Sequence, residues 1–478
     1  TAAVKADVNE QVGALKRRAE TALEVGKGRL LDSAGGVLDV LARIKCARLQ
    51  NGDSLVLHLG RVQVQANRYA FAAILGDGSV ETWGPARFGG DSSAVQDQLR
   101  NVQQIQASEG AFAAILDDGS VVTWGDVRDG GDSSSVQDRL KNVQQIQANA
   151  GTFAAILGDR SVVTWGEALG DSSYVQHQLK NVLQIQATVE AFCAILAEGR
   201  VVTWGNGCYG GDSSDVQDQL KNVKQVQAAE RAFAAILSDG SVVTWGFDGY
   251  GYGETGWGGD SSPVQDQLRN VQQIQASRQA FAAVLDDGSV VTWGHADLGG
   301  DSSAVQEQLK QVQQIQAAHW AFAAVLADGS VVTWGSAASG GDSSAVQDQL
   351  KNVQQIQSTA EAFAAILGDG SVVTWGVADK GGDSSAVQHK LKNVQQIQAT
   401  RMAFAATLAD RSVATWGHAD YGGSSRAVQH QLKNVRQIQT AGLTFAAVLA
   451  DGSFVPWGET VVEEEEEEAE EEEDEEQE

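Results

Sequence analysis

Polar and apolar side chains alternate through Gln104-Ile105-Gln106-Ala107, the period-two signature of a strand with one buried face, here strand A. A short gap later, Ala111-Phe112-Ala113-Ala114-Ile115-Leu116 is apolar throughout and too short for a helix, which predicts a strand covered on both faces, strand B. Asp118-Gly119 supplies a tight turn whose glycine tolerates positive φ, and Val121-Val122-Thr123-Trp124 predicts a third strand, C. From Asp132 to Leu140 the residues DSSSVQDRL predict a Ser-capped helical turn with Val136 and Leu140 on one face, returning the chain to the next strand A.

This pattern repeats. Trp-Gly pairs at Trp83, Trp124, Trp165, Trp204, Trp245, Trp293, Trp334, Trp375, Trp416 and Trp457 mark ten units. Three short antiparallel strands cannot bury both faces of their sheet alone, so neighbouring units must stack, with the recurring Phe, Ile and Trp as core. The run Asp118-Gly119-Ser120-Val121-Val122-Thr123-Trp124-Gly125, with its Gly-rich loop behind it, resembles the repeat of the regulator-of-chromosome-condensation family. The resemblance covers residues 61–458 and is strongest from Gly246 to Asp260, GFDGYGYGETGWGGD, followed by Pro263 and Val264. It implies an all-β domain, a β-propeller-like array of ten short three-stranded units. A closed ring is favoured over an open spiral, which would expose two end faces. The chain departs from the family in lacking its His before strand B, where Ala111 stands, and in having more units than its usual ring.

Residues 1–60 read differently. Asp7 with Glu10 suggests a capped helix start, and Val8, Val12, Leu15 and Ala19 fall on one helix face. With Arg29-Leu30-Leu31 and a strand at Ser54–Leu59 they resemble the second part of a ubiquitin-like domain, here truncated and without a terminal Gly-Gly. At the other end, residues 459–478 form an acidic tail. Every residue from Glu463 to Glu478 except Ala469 and Gln477 is acidic, and such a run is expected to be disordered, serving solubility or docking a basic partner.

The formal charge of −28 argues against direct nucleic-acid binding, which needs clustered Lys and Arg. No apolar run is long enough for a transmembrane helix. Cys46, Cys193 and Cys208 have neither disulfide nor zinc spacing, which favours a reducing compartment and an intracellular, cytoplasmic or nuclear, setting. The only methionine is Met402, so a chain starting at Thr1 is expected to be processed or truncated, which keeps an organelle open.

Antiparallel order places the A-to-B gap and the loop after Trp-Gly at one end of each unit, the top, and the Asp-Gly turn at the other. The variation between units collects at the top. The gaps read Asn67-Arg68-Tyr69, Ser108-Glu109-Gly110, Ala229-Glu230-Arg231, Ser277-Arg278-Gln279, Ala318-His319-Trp320 and Thr400-Arg401-Met402; the loops include Pro85-Ala86-Arg87-Phe88 and His418-Ala419-Asp420-Tyr421. A constant frame with variable loops is how repeat proteins build binding surfaces, and aromatic, Arg and Met side chains carry interface energy. Candidate partner-binding residues are Tyr69, Arg87, Phe88, Arg128, Tyr209, Arg231, Tyr250, Tyr252, Trp257, Arg278, His319, Trp320, Arg401, Met402 and Tyr421.

Catalytic chemistry is not apparent. His295 and His319 lack a third metal ligand, Gly26-Lys27-Gly28-Arg29 lacks the Lys-Ser/Thr ending of a phosphate loop, and the repeated Asp-Ser-Ser has no His at fixed spacing. No catalytic, cofactor or metal residue is assigned. The expectation is a non-catalytic protein-interaction scaffold. The resemblance also implies alternatives: a guanine-nucleotide exchange factor for a small GTPase, an enzyme inhibitor, or a structural or substrate-recognition part of a larger assembly such as a ubiquitin ligase of the HERC type.

Overall fold

The computed structural model describes residues 1–23, 25–47, 49–60, 62–249 and 256–458. From residue 62 onward it is built of ten three-stranded antiparallel sheets in chain order, each with strand B in the middle. In the second unit the strands are Val102–Ala107, Ala111–Leu116 and Val121–Gly125. Phe112 pairs with Ala107 on one side and Trp124 on the other, and a bulge lies between Val102 and Gln104.

Strand B is covered on both faces, as its unbroken apolar run requires. Phe112 and Ala114 face the preceding unit, packing with Ala72, Ile74 and Leu99. Ala111, Ala113 and Ile115 face the following one, with Leu140, Val143 and Phe153. The core therefore lies between units, and each seam is shared property. Leu140, the last residue of the linker, is 1% exposed because it plugs its seam from below. The Phe112 and Trp124 rings stack at 5.3 Å, and Trp124 Nε1 donates to the carbonyl of Gly89 in the preceding loop (3.0 Å).

At the bottom turn Gly119 has φ +77°, as expected of Asp-Gly, and its carbonyl accepts from the N–H of Val143, which starts the next unit. In two units an arginine stands in this left-handed position, Arg160 and Arg411, both at φ +65°. The descending linker is held by hydroxyls and amides as well as by capping: Ser133 Oγ meets Thr123 Oγ1 at 3.0 Å, and Gln137 Nε2 donates to the Val121 carbonyl (2.9 Å).

The two ends of the array meet. Ala446 and Val448 of the tenth unit share an apolar cluster with Val64, Phe71, Ala73 and Leu75 of the first, and Phe454 lies 5.3 Å from the Trp83 ring.

The N-terminal segment has helix α1 (Val12–Leu23) and an antiparallel pair, β1 (Arg29–Leu31) with β2 (Val56–His58), around Val12, Leu15, Leu30 and Ile44. The helix starts later than Asp7 suggests, and Val8 is exposed. Asp7 closes a turn instead: its carboxylate accepts from Asn9 N–H, while Gln11 bridges Arg43 and Val12 N–H bonds to Ala42. The segment seats on both ends of the array. Lys16 Nζ reaches Asp77 at 2.5 Å and Lys27 Nζ reaches Glu81 at 2.6 Å, on unit 1. Gly26 lies so close to Asp451 of unit 10 that a Cβ would stand 2.3 Å from its carbonyl oxygen. Among the described residues no helix is long and apolar enough to cross a membrane.

Candidate interaction face

The three positions of each A-to-B gap have three different jobs, which their sequence variation conceals. The first is in most units a buried polar clamp, with Ala229 and Ala318 among the exceptions. Ser108 Oγ accepts from Ala111 N–H (3.1 Å) and donates to the Asp129 carbonyl (2.7 Å), tying the gap to the loop after Trp-Gly. Asn67 does the same to Phe88, Thr188 to Tyr209 and Thr400 to Tyr421. These side chains are buried, so their variation among Ser, Thr and Asn belongs to the frame and not to a binding surface.

The second position builds the rim of a central depression. Glu109 N–H donates to the Ala150 carbonyl, Ala150 to Val189, and so on through Glu230, Arg278, His319, Ala360, Arg401 and Gly442, at 2.8–3.2 Å. Gly442 lies against Arg68, where a Cβ would stand 3.1 Å from the Arg68 carbonyl oxygen. This belt of backbone bonds crosses from unit to unit and fixes which side chains stand side by side. All ten gaps line the depression, about 970 Å³ in volume.

Its charges are sorted. Glu109 and Glu230 stand on one arc, with Asp129 behind; Arg278, Arg401 and Arg68 stand on the other. Arg278 Nε meets Glu230 at 3.5 Å at one boundary between the arcs. On the acidic side the Asp129 carboxyl is raised, by burial and then by Asp126, Glu109 and Glu167 around it. On the basic side burial, reinforced by Arg278, Arg401 and Lys380, depresses His319 to about 4, so its imidazole is neutral at pH 7.

The third position packs on the loop after Trp-Gly. Tyr69 stacks on Phe88 at 4.2 Å, with Arg68 and Arg87 over the two rings and Arg87 Nε on Asp126 (3.1 Å). Arg231 is wrapped by three aromatic rings: its guanidinium lies 4.4 Å from the Trp257 centroid, 4.8 Å from Tyr209 and 5.8 Å from Phe247. Its Nε is buried without an acceptor among the described residues, so the ring faces are its main compensation. Trp320 is half-buried, edge-on to His319 at 6.0 Å. Met402 is half-buried, and Tyr421 stands edge-on to His418 at 5.1 Å.

Of the sequence-predicted residues, Arg278, His319 and Arg401 thus meet at the rim. Tyr69, Arg87 and Phe88 form one outer cluster, and Tyr209, Arg231 and Trp257 another, several units away. The Arg128 guanidinium is largely exposed, 3.6 Å from Asp126. Tyr250, Tyr252 and the acidic run from Glu463 lie outside the described residues. The candidates omitted Arg68, Glu109, Glu230 and Phe247. The signal for the first three was their shared place in the middle of each gap; Phe247 gave none.

No protein-family model matches the sequence, and no curated protein matches it. Solved structures of similar form include Prp20p from Saccharomyces cerevisiae, a protein with binding properties to Gsp1p and histones (16% identity over 59% of this chain and 81% of that one, TM-score 0.34). Another is yeast RCC1 (Prp20) bound to Kap60 (15% identity, 66% and 87% covered, TM-score 0.33). A third is the computationally designed protein Ika8 (12% identity, 75% and 96% covered, TM-score 0.31). The repeat is similar to the regulator-of-chromosome-condensation type. At these identities and scores the likeness assigns no partner or activity to this chain, and the similarity stands on the residues of the repeat: the Asp-Gly turn, the Val-Val-Thr-Trp-Gly strand and the Gly-rich loop whose carbonyl holds the next tryptophan.

Proposed function

We propose that the chain is a non-catalytic scaffold that holds a protein partner on the top face, over the depression lined by all ten gaps. The observation carrying this reading is the convergence of ten variable gap residues on one surface with its charges sorted into an acidic and a basic arc. Such a surface suits a partner with acidic groups facing Arg278, Arg401 and Arg68 and basic groups facing Glu109 and Glu230, an arrangement that fixes orientation and speeds encounter. In this reading residues 61–458 are the binding domain, and residues 1–60, which keep a small core of their own, are a separate truncated ubiquitin-like segment.

The test is affinity capture from native extract with three baits: the intact chain, R278E/R401E, and a graft of Ser108-Glu109-Gly110 in place of Ala318-His319-Trp320. A bottom-face variant, D328N, serves as control. A partner retained by the intact chain and D328N but lost from both top-face variants supports the reading, and its retention should fall as salt rises. Equal capture by all four removes the top face as the binding surface. Accelerated nucleotide release from a captured small GTPase would replace scaffold by exchange factor.

A further inference from the structure

Nine seams between successive units are filled by the chain that follows each Trp-Gly. That segment crosses the top, in eight of the nine seams offers a loop carbonyl to the next unit's tryptophan (the shortened loop before Trp204 is the exception), and descends to plug the seam with a leucine; these leucines, Leu99 first and Leu432 last, are at most 1% exposed. The seam between units 10 and 1 lacks every part of this filling among the described residues. Trp83 Nε1 is buried with no acceptor. Leu59, which stands three residues before Val62 as Leu99 stands before Val102, is 42% exposed. Pro456 replaces the threonine that elsewhere holds the linker serine, as Thr123 holds Ser133. In place of the linker there is a cavity of about 1380 Å³, lined by Trp83, Phe454, Pro456 and Val62 and bordered by α1.

The residues that follow the last Trp-Gly are Glu459-Thr460-Val461-Val462 and then the acidic run. They have no Ser-Ser, which suits a strand with no threonine to receive it. They start at the right place, since Gly458 pairs with Thr444 at the top of unit 10, and the linker of unit 2 needs only the 15 residues from Asp126 to Leu140, fewer than the 20 from Glu459 to Glu478. The charges on the cavity wall also fit. Its carboxylates are engaged: Glu20 by Lys16, Glu81 by Lys27, Asp451 by Ser453, and Asp91 by the Ser93 N–H. Arg17 and Arg436 line the same cavity and have no ion pair among the described residues.

We propose that residues from Glu459 onward occupy this seam in cis. A backbone carbonyl near Glu459–Val462 accepts from Trp83 Nε1–H, Val461 and Val462 enter the apolar cleft, and the acidic run lies along Arg17 and Arg436. The inference is independent of the top-face partner, because none of the rim residues Arg68, Glu109, Glu230, Arg278 and Arg401 lines this cavity.

The test uses the full chain with 15N-labelled tryptophan, the Trp83 indole signal being assigned from W83F. Hydrogen exchange of the Trp83 indole N–H is compared with that of Trp124, which reports a filled seam in the same molecule. Both should be slow in the unaltered chain. V461D/V462D and R17E/R436E should each speed Trp83 exchange by about tenfold or more while Trp124 is unchanged, as expected of a local opening; R278E/R401E should affect neither. Rapid Trp83 exchange in the unaltered chain, or exchange indifferent to both seam variants, overturns the proposal. So does a response to the rim reversal alone, which would put the acidic run on the top face.

Discussion

Trp204 and Trp245 occupy equivalent positions and differ in one interaction. Both are buried, at 0% and 4% exposure, and both stack on a phenylalanine, Phe192 at 5.1 Å and Phe233 at 5.3 Å. Trp245 Nε1 donates to the Gly210 carbonyl at 3.0 Å, whereas Trp204 Nε1 has no acceptor. The cause is readable in the preceding loop: between Gly166 and Asp171 the chain has Glu-Ala-Leu-Gly, two residues fewer than the Asp-Val-Arg-Asp-Gly-Gly of unit 2, so the glycine carbonyl that elsewhere meets the indole is missing. Trp→Phe removes about the same ring area at both sites, and that part of the loss cancels in the comparison. What remains is a hydrogen bond of roughly 1 kcal/mol and a stranded Gly210 carbonyl in W245F, against relief of a buried unsatisfied N–H in W204F. W245F should therefore be less stable than W204F by about 1–3 kcal/mol. Because stacked units need not unfold together, the measurement is urea unfolding combined with hydrogen exchange of strand B in units 4 and 5. Equal losses, or a larger loss for W204F, would refute the assignment of this bond as a stabilising contact.

Other outcomes follow from single residues. Removing Lys16 leaves Asp77 of unit 1 and Glu20 of α1 with poorly solvated charges, so K16M should cost on the order of 3 kcal/mol and K16M/D77N less, read by thermal unfolding. The Asp77 carboxyl is held low: burial opposes ionisation, but Lys16 and Ser79 outweigh it. Its contribution is present above the ordinary carboxylate range and disappears as pH falls through the depressed folded value, and acid titration of K16M should lack that component. His319 behaves in the reverse chemical sense: it is neutral and depressed to about 4, so stability is complete above about 6.5 and declines as pH falls from there towards 4. H319Q should flatten that decline, while an unchanged pH profile would show that the imidazole is well solvated. Arg160 holds φ +65° where other units use glycine, and R160G should raise stability by about 0.5–1 kcal/mol in denaturant titration; a loss would mean that its side chain contributes more than the backbone strain costs.

The sequence by itself determined the repeat, the three strands, the bottom turn and the end of each unit at which variation gathers. These depend on period-two patterning and on Asp-Gly turn chemistry, both local properties of a few adjacent residues. Even the double burial of strand B was legible, since Ala111-Phe112-Ala113-Ala114-Ile115 leaves no polar position to face water. Tertiary structure decided what separate units do to one another. Ser108 and Thr188 proved to be buried clamps because the loop carbonyl they reach belongs to a segment about 21 positions on. The helix α1 begins only at Val12, where the Val12 and Gly13 N–H groups bond to the Ala42 and Val40 carbonyls of a segment far along the chain, while Asp7 and Glu10 close a separate turn before it. The rim is the clearest case. Glu109, Arg278 and Arg401 come to stand on one rim only through backbone hydrogen bonds between units, and those bonds use N–H and C=O groups that every residue carries, so no side-chain pattern announces them.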